Sequence, residues 1–399
     1  MAFRSREPPP RSRAPAPTTI HDLGEDLILE IFLRLPSLPS LVRAAFACRA
    51  FLAAVRSSPA FRRRFRALHG PPVLGVFLGQ DVTDVRSYVP LRRQSDPGFS
   101  AAARGSDFFV NRVPDFLAGA RWHVVACRGG FVLLFDWITR RIAAYNPLTG
   151  ALDLFPAPPA GGGELACHGY HMVPCDCDEA PGSFRVVSLF RDGSQLRAAI
   201  FSSATRAWQI LPWTGEAPAQ QLVRRHKLLT GPQVEGRVYW THARRAYCIV
   251  LDTATLQFSS IDLPAHLKGQ GHKYRTGQTK DGKLCIVHAM ELTISIWLQT
   301  TDSGGADQWR LDCVIPLDGE ILKVTKGSPA EHSSLQVWMI FDGIVYLSTS
   351  ETSGGAIKLR SFLSFCLETR KLEKLFCKTA YNDFYPYIMA WPPSLLGNN

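Results

Sequence analysis

Four stretches of this 399-residue chain end in a hydrophobic residue followed by proline, at Pro156, Pro212, Pro264 and Pro316, with intervals of 56, 52 and 52 residues. Each closes a unit of strand-like runs joined by polar turns, as in GGFVLLFDWITRRIAAYNPLTGALDLFP and GRVYWTHARRAYCIVLDTATLQFSSIDLP. A fifth unit, from Leu335 to Cys377, lacks the proline. A small sheet that is apolar on both faces cannot stand alone. Repeats of about 50 residues with several strands each therefore predict the blades of a β-propeller, in which neighbours cover one another. The turns NPLTG, SSATRAW, DTATLQF and LETRKLE recur between the last two strands of a unit. Val73–Leu78 and Tyr385–Trp391 are expected to pair and close the ring, which makes a composite sixth blade and a total of about six. A pair of β-sandwiches is the alternative, and the regular spacing favours the propeller.

The region before Gly70 follows different rules. Residues 1–17 are arginine- and proline-rich with few apolar anchors, a composition that predicts disorder. Residues 18–70 read as three short helices. Asp22 and Glu25 have capping-box spacing, and Leu23, Leu27, Ile31 and Leu35 recur every four residues. Leu29, Phe32 and Leu33 extend the apolar surface until little polar face remains. Pro36 and Pro39 are expected to end this helix in a turn. Ser40 then caps a second helix running through Leu41 and Val55, and Ser58-Pro59 opens a third. A unit of about fifty residues cannot bury a first helix that is apolar nearly all round, so something else must cover it.

The segment LGEDLILEIFLRLPSLPSLVRAAFACRAF resembles the F-box family. The resemblance implies that the block binds a Skp-type adaptor and, through it, a cullin–RING ubiquitin ligase. By position it assigns adaptor binding to Leu23, Asp26, Leu27, Ile31, Leu35, Pro36, Leu41, Val42 and Cys48, with Leu23, Leu27 and Pro36 in direct contact. Gly24 stands where the family usually has proline and Phe51 where it usually has tryptophan. Residues 71–396 are similar to the propeller-type region of many plant F-box proteins. The residues that carry this are Val76-Phe77-Leu78, Asn146 to Gly150, Phe184 to Val187 and Gly236 to Trp240. The implied function is that of a substrate-recognition subunit whose propeller recruits an unidentified target protein.

The remaining patterns bear on competing functions. The net charge is +11, but twelve arginines and only five acids lie in residues 1–70, so the excess is not a basic face of the propeller region. This argues against nucleic acid as the partner. Arg62, Arg63, Arg64 and Arg66 alternate with Phe61, Phe65 and Leu68 and read as a solvated helix face. No run of about 18 apolar residues is present, so no membrane span is expected. Ten scattered cysteines read as reduced thiols of the cytoplasm or nucleus. Cys167, His168, His171, Cys175 and Cys177 fit no zinc spacing and read as an inter-blade loop, without metal. Neither a phosphate loop nor a nucleophile or dinucleotide motif occurs, and no cofactor is expected. A propeller enzyme remains the second reading, and it needs charged groups converging on the central channel. Target recognition is assigned to the segments 80–120, 157–183, 214–235 and 265–280, read as loops.

Overall fold

In a computed structural model of the chain, the residues described are 23–70, 72–79, 87–91, 106–114, 122–159, 166–174, 183–192, 195–214, 228–242, 245–271, 273–301, 307–326, 332, 334–350, 359–379 and 383–396. The residues 1–17 and Asp22 lie outside them. Two compact units divide the chain, one ending at His69 and the other running from Gly70 to Leu396.

The first unit has four helices, α1 (Glu25–Leu33), α2 (Leu38–Ala45), α3 (Arg49–Ser57) and α4 (Pro59–Leu68), not the three expected. The expected second helix is broken at Phe46–Cys48. Pro39 does not terminate a helix; it sits in the first turn of α2, where its missing N–H would have had no intrahelical acceptor. The cap is consequently Ser37, whose Oγ accepts from the Ser40 N–H at 3.4 Å. Ser58 caps α4 as expected, accepting from the Phe61 N–H at 3.2 Å. Gly24 caps α1 without a side-chain bond, at φ −62°. The core takes Ile28, Leu29, Phe32 and Leu33 from α1, Leu41 from α2, Phe51 and Val55 from α3, and Phe61 and Phe65 from α4. Phe51 meets Phe32 edge-on at 5.4 Å, so it holds the aromatic packing position. Arg62 corrects the reading of a solvated basic face. It is buried and donates to the Val55 and Arg56 carbonyls, which the end of α3 leaves without helical partners.

The second unit is a six-bladed propeller. Five blades have four antiparallel strands each: β3 (Trp122–Arg128) to β6 (Leu152–Pro156), β7 (Ala166–Pro174) to β10 (Ala207–Ile210), β11 (Leu228–Val234) to β14 (Phe258–Asp262), β15 (Tyr274–Gln278) to β18 (Asp307–Pro316), and β19 (Gln336–Phe341) to β22 (Leu372–Thr379). The sixth is composite, with β1 (Val73–Gly79) between β2 (Ser87–Pro90) and β23 (Asp383–Ile388). Val76 faces Pro386, Phe77 faces Tyr385 and Leu78 faces Phe384, which closes the ring as the sequence predicts. A short helix, α5 (Asp318–Thr325), follows β18 and inserts Ile321 into the core between the fourth and fifth blades.

Each blade serves two cores. In the first blade, Val132 and Leu134 point to the interface with the composite blade, while Leu133 and Phe135 point to the second. In the third, Val238 and Trp240 pack toward the second blade and Tyr239 toward the fourth. Six such clusters fill the six interfaces, which is why the strands read as continuous apolar runs rather than alternating ones. The outer strands add a recurring clasp. Trp208 donates to the Pro156 carbonyl of the preceding blade at 2.9 Å, and Trp309 donates to that of Asp262 at 2.8 Å. The recurring turns share one geometry. The N–H of Gly150, Arg206, Leu256 and Arg370 each returns to the carbonyl four residues earlier, and each of these residues has φ between 56° and 73°.

The strand count per blade corrects the repeat. The innermost strands β7, β11 and β15 lie within segments read as loops, and each precedes the unit that the sequence displays. These strands are short of apolar alternation because one edge borders the axis. Bulges also interrupt the register at Cys167/Tyr170 and Thr230/Gln233.

Two expectations follow. Gly24→Pro fits the observed φ, and nothing lies within 4 Å of the added Cβ. It should slow hydrogen exchange of the Leu27 and Ile28 amides roughly two- to five-fold by restricting the unfolded chain. Gly277 lies where β15 passes β19, and a Cβ there would overlap Ile340. Gly277→Val should therefore cost about 1–3 kcal/mol in urea unfolding of the propeller.

Candidate functional site

Two surfaces carry the functional candidates, one on each unit. On the helical unit, α1 buries one side and leaves Leu27 57% and Ile31 43% exposed, four residues apart on one face. Asp26 is exposed in the first turn, where its charge suits the helix N-terminus. Leu35 and exposed Pro36 follow directly after the helix, and Leu23 precedes it half-buried. Val42 on α2 and Cys48, the N-cap of α3, are half-buried. Leu41 is separated from this set: it has no exposed surface and packs within the helical core. Phe46, at the C-cap of α2 and 52% exposed, is an apolar residue that the family pattern did not single out. The face is apolar with an acidic edge, suited to being covered by a partner.

The second surface lines the propeller axis. Strands β3, β7, β11, β15 and β19 run side by side around it in chain order, and β23 lies beside β3. Trp338 on β19 stacks 5.9 Å from Phe384 on β23, completing the circle. Together they enclose a cavity of about 410 Å³. Arg128 from β3 reaches across it, donating to the Gln233 carbonyl of β11 at 3.4 Å while its guanidinium lies 5.8 Å from the Phe341 ring centroid. Arg275 from β15 also lines the cavity, with Nη1 donating to the carbonyls of Gly271 and Tyr274. Burial pushes Arg128 down to about 10 and lowers Arg275 from the usual guanidinium range. His171 on β7 packs edge-on to Trp240, and burial, assisted by Arg128, pushes it down to about 3, so the ring is neutral. Asp383 is the only carboxylate lining the cavity among the described residues.

The inner strands β3 and β15, the second within a segment read as a loop in the sequence, bring two arginines to the channel. The signal lay in the hairpin turns. Gly129-Gly130, Glu235-Gly236 and Asp342-Gly343 each pair two left-handed residues, the geometry of a tight hairpin, and so require a strand before the glycine as well as after it. Of the cysteine–histidine cluster, Cys175 and Cys177 lie outside the described residues. His171 belongs to a strand rather than a loop, and no group of three or more metal-ligating side chains occurs among the described residues. His242 and His288 are each bonded locally: Nδ1 of the first accepts from the Arg245 N–H, and Nε2 of the second pairs with Gln270. No described helix is long and apolar enough to cross a membrane.

Several solved structures are similar to this chain at low identity. A luciferin-regenerating enzyme is 10% identical with a TM-score of 0.35, covering 67% of this chain and 78% of its own. Regucalcin, a calcium-binding protein from Agrobacterium tumefaciens, is 9% identical with a TM-score of 0.33, covering 70% and 77%. A protein of unknown function from Bacteroides caccae is 9% identical with a TM-score of 0.37, covering 79% and 99%. No curated protein matches the chain in sequence. Residues 123–395, from β3 through the last turn of the propeller, match the model of a family described as F-box protein AT5G49610-like, beta-propeller. With more than half of its length matched, the chain belongs to this family of F-box protein propellers.

Proposed function

We propose that the chain is the substrate-recognition subunit of an SCF-type cullin–RING ubiquitin ligase. The helical unit binds a Skp-type adaptor through the outer face of α1, and the propeller recruits the target protein. The observation that carries this reading is the exposure of Leu27 and Ile31 on a helix whose opposite side is already buried. Two neighbouring branched aliphatic residues left in water on a helix this short are a contact surface in search of a cover. Membership of an F-box protein family supports the same assignment for the helices that precede the propeller. In this role the chain performs no chemistry of its own. It positions a target near a ligase carried by its partners, in the cytoplasm or nucleus.

The test is the affinity of the full chain for a recombinant Skp-type adaptor. Leu27→Lys combined with Pro36→Ala places an unpaired charge in the proposed interface and should weaken binding roughly thirty-fold or more, the size of an interface hot spot. Because Leu27 is exposed, circular dichroism of the variant should match the parent. Leu41→Lys is the contrast. It loses binding only by disrupting the helical core, which the same spectrum reveals. Adaptor binding unchanged in the folded double variant would overturn the assignment of this face.

A further inference from the structure

The channel arginines are not explained by the fold. Among the described residues neither Arg128 nor Arg275 forms an ion pair with a carboxylate. A guanidinium has five N–H donors, and Arg128 uses one of them in a single long bond to Gln233. The five donors of Arg275 serve two carbonyls through one nitrogen. Both guanidiniums are half-buried in the cavity wall, and holding them there with no carboxylate bonded to either has a cost that a methionine of similar length would avoid. Residues that oppose stability in this way mark sites where a ligand completes the structure.

We propose that the central cavity of the propeller binds a small organic anion, a carboxylate or phosphate monoester carrying an aromatic or apolar group, with Arg128 and Arg275 as its oxyanion ligands. The chemistry of the lining fits this class. Planar guanidinium forks match the geometry of carboxylate and phosphate oxygens. Asp383 offsets only one of the two positive charges, and the neutral His171 adds none. Trp338, Phe341 and Tyr385 supply the aromatic wall against which the remainder of the ligand lies. A volume of about 410 Å³ is within the range of small-molecule pockets. The inner-strand glycines contribute: Gly231 lies so near Tyr239 and Thr276 that a side chain there would crowd the wall. The proposal concerns the propeller alone and stands whether or not the helical unit binds an adaptor. An acidic segment of a protein target offers the same oxyanions, but the recessed guanidiniums favour a molecule that enters whole.

The experiment uses the full chain dialysed into chloride buffer. Phenyl phosphate, inorganic phosphate, benzyl alcohol and a hexaglutamate peptide are titrated at constant ionic strength, with thermal stability and Trp fluorescence followed. Phenyl phosphate should give a saturable rise in Tm with quenching, inorganic phosphate a weaker one, and benzyl alcohol and the peptide none. Arg128→Met and Arg275→Met should each weaken phenyl phosphate binding roughly ten-fold or more. Arg128→Met should also raise the Tm of the unliganded protein, whereas an arginine kept for structure would lower it. Arg128→Lys retains the charge and keeps part of the affinity, so it tests the site even if the methionine variant folds poorly. Absence of a saturable response to phenyl phosphate, an equal response in folded Arg275→Met, or a response to the peptide alone would each overturn the proposal.

Discussion

Every sheet of the propeller is apolar on both faces, and no face can be covered except by the next sheet. Such an arrangement has no stable end. An open stack would leave one sheet surface as large as a domain interior in water at each terminus, so the stack must return on itself. The pairing of β1 with β23 performs that closure by hydrogen bonds between strands more than 300 residues apart in sequence. The remaining regularities follow from it. Six interfaces need six cores, each strand must divide its side chains between two of them, and the indole clasps of Trp208 and Trp309 hold outer strands that the cores reach only partly.

The helical unit meets the same problem at a smaller scale and solves it differently. Four short helices can surround only one side of α1, and that side is filled by Ile28, Leu29, Phe32 and Leu33. Leu27 and Ile31 remain exposed, with no further helix of this unit among the described residues to cover them. In the ring, a sheet with two apolar faces finds its cover within the unit; in the helical unit, the outer apolar face of α1 stays exposed among the described residues. The same surplus of apolar surface thus serves closure in one unit and, in the other, the adaptor binding proposed above.

This difference also decides how much was legible from sequence. The second and third strands of the four-stranded blades are largely buried on both faces, so their apolar runs and the turns that follow them, at Asn146–Gly150 or Asp252–Leu256, stand out and set the repeat length. The first strands do not stand out. One edge faces the channel, Gly169, Gly231 and Gly277 allow close approach of neighbouring backbones, and Pro232 and Pro386 are tolerated on an edge that pairs with nothing. Their composition is that of a loop. In the helical unit Pro39 and Arg62 share a cause for their departure from expectation: residue type alone predicts a break and a solvated charge, whereas the role of each depends on which end of a helix it meets.

The channel brings these arguments together. The inner strands still send residues such as Trp122, Met172, Tyr274 and Val337 into the cores between sheets, but the positions among them that line the axial space can change without opening a core. Arginine at positions 128 and 275 costs the ring little of its packing but some hydration, since the cavity walls half-bury both side chains. A closed ring can bear that cost because each blade is held by two interfaces, and a local penalty at the axis leaves the six cores intact. The same closure that fixes the fold therefore creates a walled axial space whose lining is free to carry charge that no ion pair satisfies. That is the physical condition for recognising an anion strongly with only two side chains.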